Sequence, residues 1–474
     1  VNRIGWRRIL PAATAPLAVA VVSCPAALAI TPPEIDPAAA PPSGSAGPVQ
    51  PMAQRGPCVT TGVLPGTDPG AINPNQAMIN VGDAWEFSRG EGQLVAVIDT
   101  GVQPGPRLPN VEPGGDFVES TDGRSDCDGH GTLVAGVIAG QPGPDGFSGV
   151  APGARVLAIR STSARFAPRD TGEDPATARV AHDVATLARA VVRAADLGAR
   201  VITISAVTCL RANEAVDQNE LGAALRYAAV DKDAVIVAAA GNNRAGLNPG
   251  SACPSNPLSD PGRPEDPRNW TGVTSVSIPS WWQPYVLSVG SVNTAGQPSE
   301  FTMAGPWVGI AAPGENITSV GNAEGGGLAN ALPNDRGELF GLNSSSFASA
   351  YVAGAAALVR SRFPELTAQQ VIDRLTASAQ GAARAPSNLT GAGLVDPVAA
   401  LTWDVSSAGD IGTAEPKPKP VAAPPQPPAA ESTPRTVAFV GTGVLALAAA
   451  ATAAVAAQRK RNTAAQAADG RHSK

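Results

Sequence analysis

Short runs of β-branched and apolar residues recur along the middle of this chain. Between them lie longer stretches whose apolar groups return every three to four positions. Gln93–Ile98, Arg155–Arg160, Arg200–Ser205, Ala234–Ala239 and Tyr285–Val289 are of the first kind, continuous enough to be parallel strands covered on both faces. Ala178–Leu197 is of the second kind, with Val180, Val184, Leu187 and Val191 along one helical face. Leu221–Val230 and Ser346–Arg362 predict two further helices, and Thr367 is placed to cap another through Leu375. Strands alternating with helices predict an α/β fold, a parallel sheet with helices on both faces. Residues 85–401 hold the whole pattern, and about 300 residues is the size at which a single core stops growing. Two stretches break the alternation. Ser163–Thr177 and Asn248–Gln283 are rich in Pro, Arg and Asp and read as loops.

The ends carry a different pattern. Arg3, Arg7 and Arg8 precede an apolar stretch, Ile9–Val22, and Ala27-Leu-Ala29 offers small residues for cleavage, so residues 1–29 read as a secretory signal peptide. Ser23-Cys24 leaves a lipoprotein processing site as the alternative. Residues 30–84 are dominated at first by Pro, Ala, Gly and Ser, with too few large apolar groups to fold alone. They predict an extended arm held down near Cys58, not a compact inhibitory domain. Residues 402–435 form a Pro-rich linker, extended and semi-rigid. Residues 436–457 contain no charge over 22 positions, long enough for a transmembrane helix. A buried core helix is the competing reading. The basic tail 458–474 begins Gln458-Arg-Lys-Arg461, and positive charge prefers the cytoplasmic side. The expected placement is therefore a single pass in the cell membrane, with the large domain extracytoplasmic.

Charge sharpens the picture. The chain carries a formal −6; removing the +3 of residues 1–29 and the +4 after Ala457 leaves −13 for the part between. An acidic exterior argues against nucleic acid as a partner. Beyond the signal region stand four cysteines, Cys58, Cys127, Cys209 and Cys253. An even number in an exported chain reads as two disulfides, for which three pairings are open. No Cys-x-x-Cys pair supports a metal site, and no cofactor is expected.

Four motifs carry candidate chemistry. Asp99 closes the apolar run in Val95-Ala-Val-Ile-Asp-Thr-Gly-Val102, at what would be the carboxyl end of a central strand, the edge where open α/β sheets hold their sites. His130 lies in Asp128-Gly-His-Gly-Thr132, between glycines that let backbone approach the ring, and opens an apolar helical run. The chain has three histidines; His182 falls within a helix and His472 in the tail, which leaves His130 as the candidate base. Ser344-Ser-Ser-Phe-Ala-Ser-Ala-Tyr-Val-Ala-Gly354 places serines before a small-residue helix, and Val235-Ile-Val-Ala-Ala-Ala-Gly-Asn242 ends a strand on Asn242. Serine attack on an amide needs a base, and the base an orienting carboxylate. Asp, His and Ser in that order along the chain is the subtilisin arrangement.

The chain resembles the subtilisin-like serine proteases, in which Gly-Thr-Ser-Met-Ala-x-Pro-His-Val-Ala-Gly surrounds the nucleophile. Aligned with that motif, Ser346 is the nucleophile; Ser344 and Ser345 stand in place of Gly-Thr, and Ala350 in place of Pro. A side chain at 344 is expected to crowd the substrate backbone or to force strain where Gly was permissive. The resemblance implies that Asn242 is the side-chain donor of an oxyanion hole, in preference to Asn243. It makes Ser205, Ala206 and Val207 the edge that pairs with substrate backbone. Cys209 beside that edge and Cys127 near His130 then imply the pairs Cys58–Cys127 and Cys209–Cys253. The full order of segments, with Phe347 and Tyr351 in the serine motif, resembles the mycosins, the membrane-anchored proteases of type VII secretion systems. That resemblance implies an arm that wraps the domain, a protein or peptide substrate, and association with the secretion membrane complex. Two roles follow: an active endopeptidase, or a structural subunit whose protease site is weak.

Overall fold

The computed structural model describes residues 30–169, 175–244, 252–381, 386–405 and 433–469. Residues 1–29, expected to be a signal peptide, most of 402–435, expected to be a linker, and the last residues of the chain lie outside them. A nine-stranded sheet forms the centre, in the order Gln380–Gly381, Gly393–Leu394, Val308–Pro313, Val286–Val292, Val235–Ala239, Val201–Ile204, Leu94–Asp99, Arg155–Arg160, Val111–Asp116. Neighbours are parallel throughout except for the first pair, which is antiparallel, so the sheet is mixed at one edge.

Leu94–Asp99 is buried at every position because both its faces are covered. Val95 and Val97 belong to a core shared with helices His130–Ala139 and Ser345–Arg362. Leu94, Ala96 and Ile98 point the other way, into a core shared with Pro175–Asp196 and Asn219–Arg226. Helices therefore flank both faces, as the alternation implies. Each fully buried Val, Leu or Ile contributes about 1.5–3 kcal/mol from area alone. Ser345–Arg362 is buried at every residue from Ser345 to Arg360, which explains its lack of a polar face. Its small side chains permit that: a Cβ on Gly354 would lie 2.6 Å from Val150 Cβ.

Several elements differ from the sequence pattern. The stretch Ser163–Thr177 contains a strand, Phe166–Pro168, and Asn248–Gln283 contains another, Ser275–Ile278, paired antiparallel with Thr208–Arg211. Both get their hydrogen bonds from distant partners, which local composition does not reveal. Val111–Asp116 shows no strand-like pattern because Pro113 and Gly114 interrupt it; it is an edge strand with a register shift there, where Pro is tolerated. Leu221–Val230 is helical, running as Asn219–Arg226 and then as a π-helical turn, Tyr227–Asp231. Thr367 does cap Ala368–Ala377, through a reciprocal capping box with Gln370.

The arm is anchored along its length, not at Cys58 alone. Ile30 and Ile35 pack against the second core, and Met52–Gln54 pairs with Phe166–Pro168. The Gly47 N–H donates to the Asp116 carbonyl at 2.8 Å, and Leu64 N–H to Asn330 Oδ1 at 2.8 Å. Ile79, Val81 and Ala84, left in the arm by the sequence pattern, are part of the first core.

The C-terminal unit is a separate helix, Thr433–Asp469. Within it Thr442–Asn462 is long and apolar enough to cross a membrane, some residues later than the uncharged run 436–457 suggests.

Candidate active site

Asp99 is the last residue of its strand, fully buried at the carboxyl edge of the sheet. Its Oδ1 accepts the Thr100 N–H at 2.7 Å. His130 opens the helix His130–Ala139, and its Nδ1 lies 2.8 Å from Asp99 Oδ1 and 3.0 Å from Oδ2. The flanking glycines make this approach possible. Gly129 caps the helix at φ 76°, a conformation L side chains rarely adopt. A Cβ on Gly131 would collide with the Gly101 carbonyl oxygen and sit 3.1 Å from Asp99 Cβ. Burial, the largest single influence, pushes the His130 pKa down. The Asp99 charge and hydrogen bond, with Asp126 and Asp128 further away, outweigh it, and the net shift is upward. Its Nε2 is buried and has no hydrogen-bond partner among the described residues. An imidazole held in this way can take up a proton at Nε2 while its cation is stabilised through Nδ1.

A second carboxylate organises this loop, and the sequence pattern did not single it out. Asp126 Oδ1 accepts from Thr100 Oγ1 at 2.8 Å, Asp128 N–H at 3.1 Å and Gly129 N–H at 2.8 Å. Its Oδ2 accepts from the Thr132 N–H at 2.9 Å and hydroxyl at 2.6 Å. Burial nevertheless raises its pKa to about 6, against the opposing pull of those bonds. The one available signal was its position, in the turn that leads into the histidine helix.

Ser346 stands in the first turn of Ser345–Arg362, which begins at the N-cap Ser344. Its Oγ donates to the Ser205 carbonyl at 3.1 Å and accepts from Ser344 Oγ at 3.0 Å. The Ser346 N–H donates to Ser344 Oγ at 3.0 Å. Asn242, just past the strand Val235–Ala239, clasps the same turn: its Nδ2 donates to Ser344 Oγ at 3.0 Å and its Oδ1 accepts the Ser345 N–H at 3.0 Å. Phe347 joins the two halves of the site, its ring centroid 5.6 Å from that of His130. Asn243 turns elsewhere, donating to the Glu300 carbonyl at 2.9 Å.

Ser205, Ala206 and Val207 directly follow the strand Val201–Ile204 and carry no sheet partner among the described residues. Cys209 is bonded to Cys253, whose N–H donates to the Asn242 carbonyl at 2.8 Å, so this disulfide braces the segment after Asn242. Cys58 is bonded to Cys127 and ties the arm to the loop before His130. Ala350, in place of the family's Pro, is buried in uninterrupted helix.

Residues 90–393 match the model of the subtilase family. Over 443 residues the chain is 61% identical to Mycosin-3 of Mycobacterium tuberculosis (strain ATCC 25618 / H37Rv), covering 93% of this chain and 96% of that protein. Among solved structures, the MycP3 protease from the type VII (ESX-3) secretion system is 71% identical, with a TM-score of 0.76 over 79% of this chain and 100% of that one. A chain of an intact ESX-5 inner membrane complex is 47% identical, with a TM-score of 0.76 over 90% of this chain and 100% of that one. With its fold, its buried Asp–His pair and matches that run nearly end to end, the chain belongs to the subtilase family of serine endopeptidases, among the mycosins.

Proposed function

We propose that Asp99, His130 and Ser346 form the catalytic triad of a membrane-anchored endopeptidase attached to a type VII secretion complex. The observation that carries this is the buried imidazole held by both Asp99 oxygens, with Nε2 left for a proton. In the reaction Ser346 Oγ attacks a peptide carbonyl while His130 Nε2 takes its proton. The C–N bond then breaks as His130 returns the proton to the leaving amine. Water, deprotonated by His130, releases the acyl group from Ser346. Asn242 Nδ2 and the Ser346 N–H would hold the tetrahedral oxyanion, and donors of this kind are each worth on the order of 10²–10³ in rate. Substrate backbone would lie along Ser205, Ala206 and Val207 as an added strand.

For placement, residues 1–29 serve as the export signal, 30–84 as the arm, 85–401 as the peptidase domain and 402–435 as the linker. The membrane helix is that of Thr442–Asn462, and Arg459-Lys-Arg461 at its C-terminal end supports a cytoplasmic tail. Partnership with the secretion complex rests on the similarity to a chain of the ESX-5 inner membrane complex.

A second reading, a structural subunit with a weak protease site, is favoured by one observation: Ser346 Oγ bonds to Ser205 and Ser344, not to His130. A fluorophosphonate probe on the detergent-solubilised full chain separates the two. The triad reading expects labelling that Ser346→Ala abolishes and Ser345→Ala retains. A folded chain that resists labelling supports the structural role.

A further inference from the structure

Both groups assigned above to the oxyanion already have an acceptor, and it is the same atom. Asn242 Nδ2 and the Ser346 N–H each lie 3.0 Å from Ser344 Oγ. The Ser344 hydroxyl in turn donates to Ser346 Oγ at 3.0 Å. A hydroxyl has one proton to give and two lone pairs to fill, so the three contacts exhaust it. An N-cap serine needs only the bond from the backbone N–H. The other two link it to the donor side chain and to the nucleophile.

The consequence reaches the proton of the nucleophile. Because Ser346 Oγ accepts from Ser344, it donates its own hydrogen to the Ser205 carbonyl, and His130 Nε2 is left with no partner among the described residues. Ser205 also begins the segment proposed to pair with substrate, so one network occupies oxyanion donors, nucleophile and substrate edge together.

We propose that the Ser344 hydroxyl is a placeholder for the oxyanion, which keeps the site closed until an entering peptide carbonyl displaces it. This rests on the reading of Ser346 as nucleophile and adds the residue that gates it. Opening needs a turn of one side chain about χ1. The backbone at Ser344 is extended, with φ −169° and ψ 150°, a conformation Gly, Ala or Thr adopts equally well. On opening, a carbonyl oxygen takes the two donors, and Ser346 can turn its hydrogen from Ser205 toward His130.

The test is the second-order rate of phosphonylation of the full chain by a fluorophosphonate, which forms a P–O bond at Ser346 and expels fluoride as the proton passes to His130. Its phosphonyl oxygen needs the same two donors. Ser344→Gly and Ser344→Ala are each expected to react about tenfold faster, the worth of one to two net hydrogen bonds, while their melting temperatures fall through loss of the cap. Ser344→Thr restores the hydroxyl on a stiffer side chain and is expected to react at about the parent rate. Rates that stay at the parent value in Gly and Ala, with parent labelling lost in Ser346→Ala, overturn the placeholder and leave the triad standing. If the parent and every Ser344 variant resist labelling while folded, the nucleophile reading fails and the placeholder with it.

Discussion

The His130 ring meets Asp99 through both carboxylate oxygens, at 2.8 and 3.0 Å from one nitrogen, in a place where neither side chain touches solvent. Such a pair favours the imidazolium form, and the His130 pKa is raised above its ordinary 6.5 despite burial. In the proposed triad the neutral ring is the base, so the labelling rate should rise with pH through a midpoint above 6.5. Stability runs in the opposite sense. A histidine whose folded pKa is raised contributes fully below its unfolded pKa, and loses that contribution as pH climbs through the folded value. Asp99→Asn should move the midpoint down and lower the rate on the order of 10⁴-fold. A midpoint unchanged in Asp99→Asn would mean the pair does not set the titration.

Asp126 should be worth more to the loop than its charge suggests. Thr100, Asp128, Gly129 and Thr132 all donate to it, and Asp126→Ala leaves those donors buried without an acceptor. We expect a loss of about 3 kcal/mol or more in a denaturant titration. Its folded pKa of about 6 lies above the ordinary carboxyl value of 3.8, so its contribution is complete below the lower value and fades as pH rises through the upper one. Asp183 is raised to a similar value, so the informative measurement is the difference between the parent and Asp126→Asn. That difference should change between about pH 4 and 6 and level off outside.

The Cys58–Cys127 bond closes a separation of 69 residues between the arm and the histidine loop. Replacing both cysteines by serine should cost about 2–4 kcal/mol, chiefly by freeing the unfolded chain. The arm keeps its pairing with Phe166–Pro168 and its bonds to Asn330 and Asn322, so it should remain docked. Limited trypsin digestion at Arg55 should accelerate only modestly; wholesale release of the arm would show that the disulfide alone holds it.

Thr442–Asn462 is the segment we expect to hold the chain on a membrane. A chain ending at residue 432 should move from the membrane pellet to the soluble fraction after alkaline carbonate extraction. If it stayed in the pellet, another surface or a partner would be the anchor. Two arginines in place of Leu445 and Leu447 should act in the same direction, at about 2.5–3.5 kcal/mol each near the centre of a span.

Much of the scaffold was legible because it obeys local periods. Leu94–Ile98 reads as a doubly covered strand from five apolar residues, and Asp99 follows at its end. The glycines around His130 announced a close approach, and the small residues after Ser346 a helix; that this helix is buried all round came from the structure. Val111–Asp116 and Phe166–Pro168 were not legible, because their own residues lack the period; Ser275–Ile278 does alternate, but over only four residues inside a Pro-rich stretch, and its partner lies far along the chain.

The site divides in the same way. Residue types and order marked Asp99 and His130, at a strand end and a helix start, while the resemblance to the subtilisin-like proteases singled out Ser346 among its neighbours and Asn242 as a donor. What those groups do to one another was decided by the tertiary structure. Asn242 and Ser344 are 102 positions apart, and only the sheet and the serine helix bring the amide to the hydroxyl. Ser346 finds the Ser205 carbonyl 141 positions away by the same means, and Asp126 draws Thr100 from the end of a strand, although its remaining donors follow it closely in the chain. A hydrogen bond depends on about 3 Å and an angle in space, quantities that no spacing along the chain encodes.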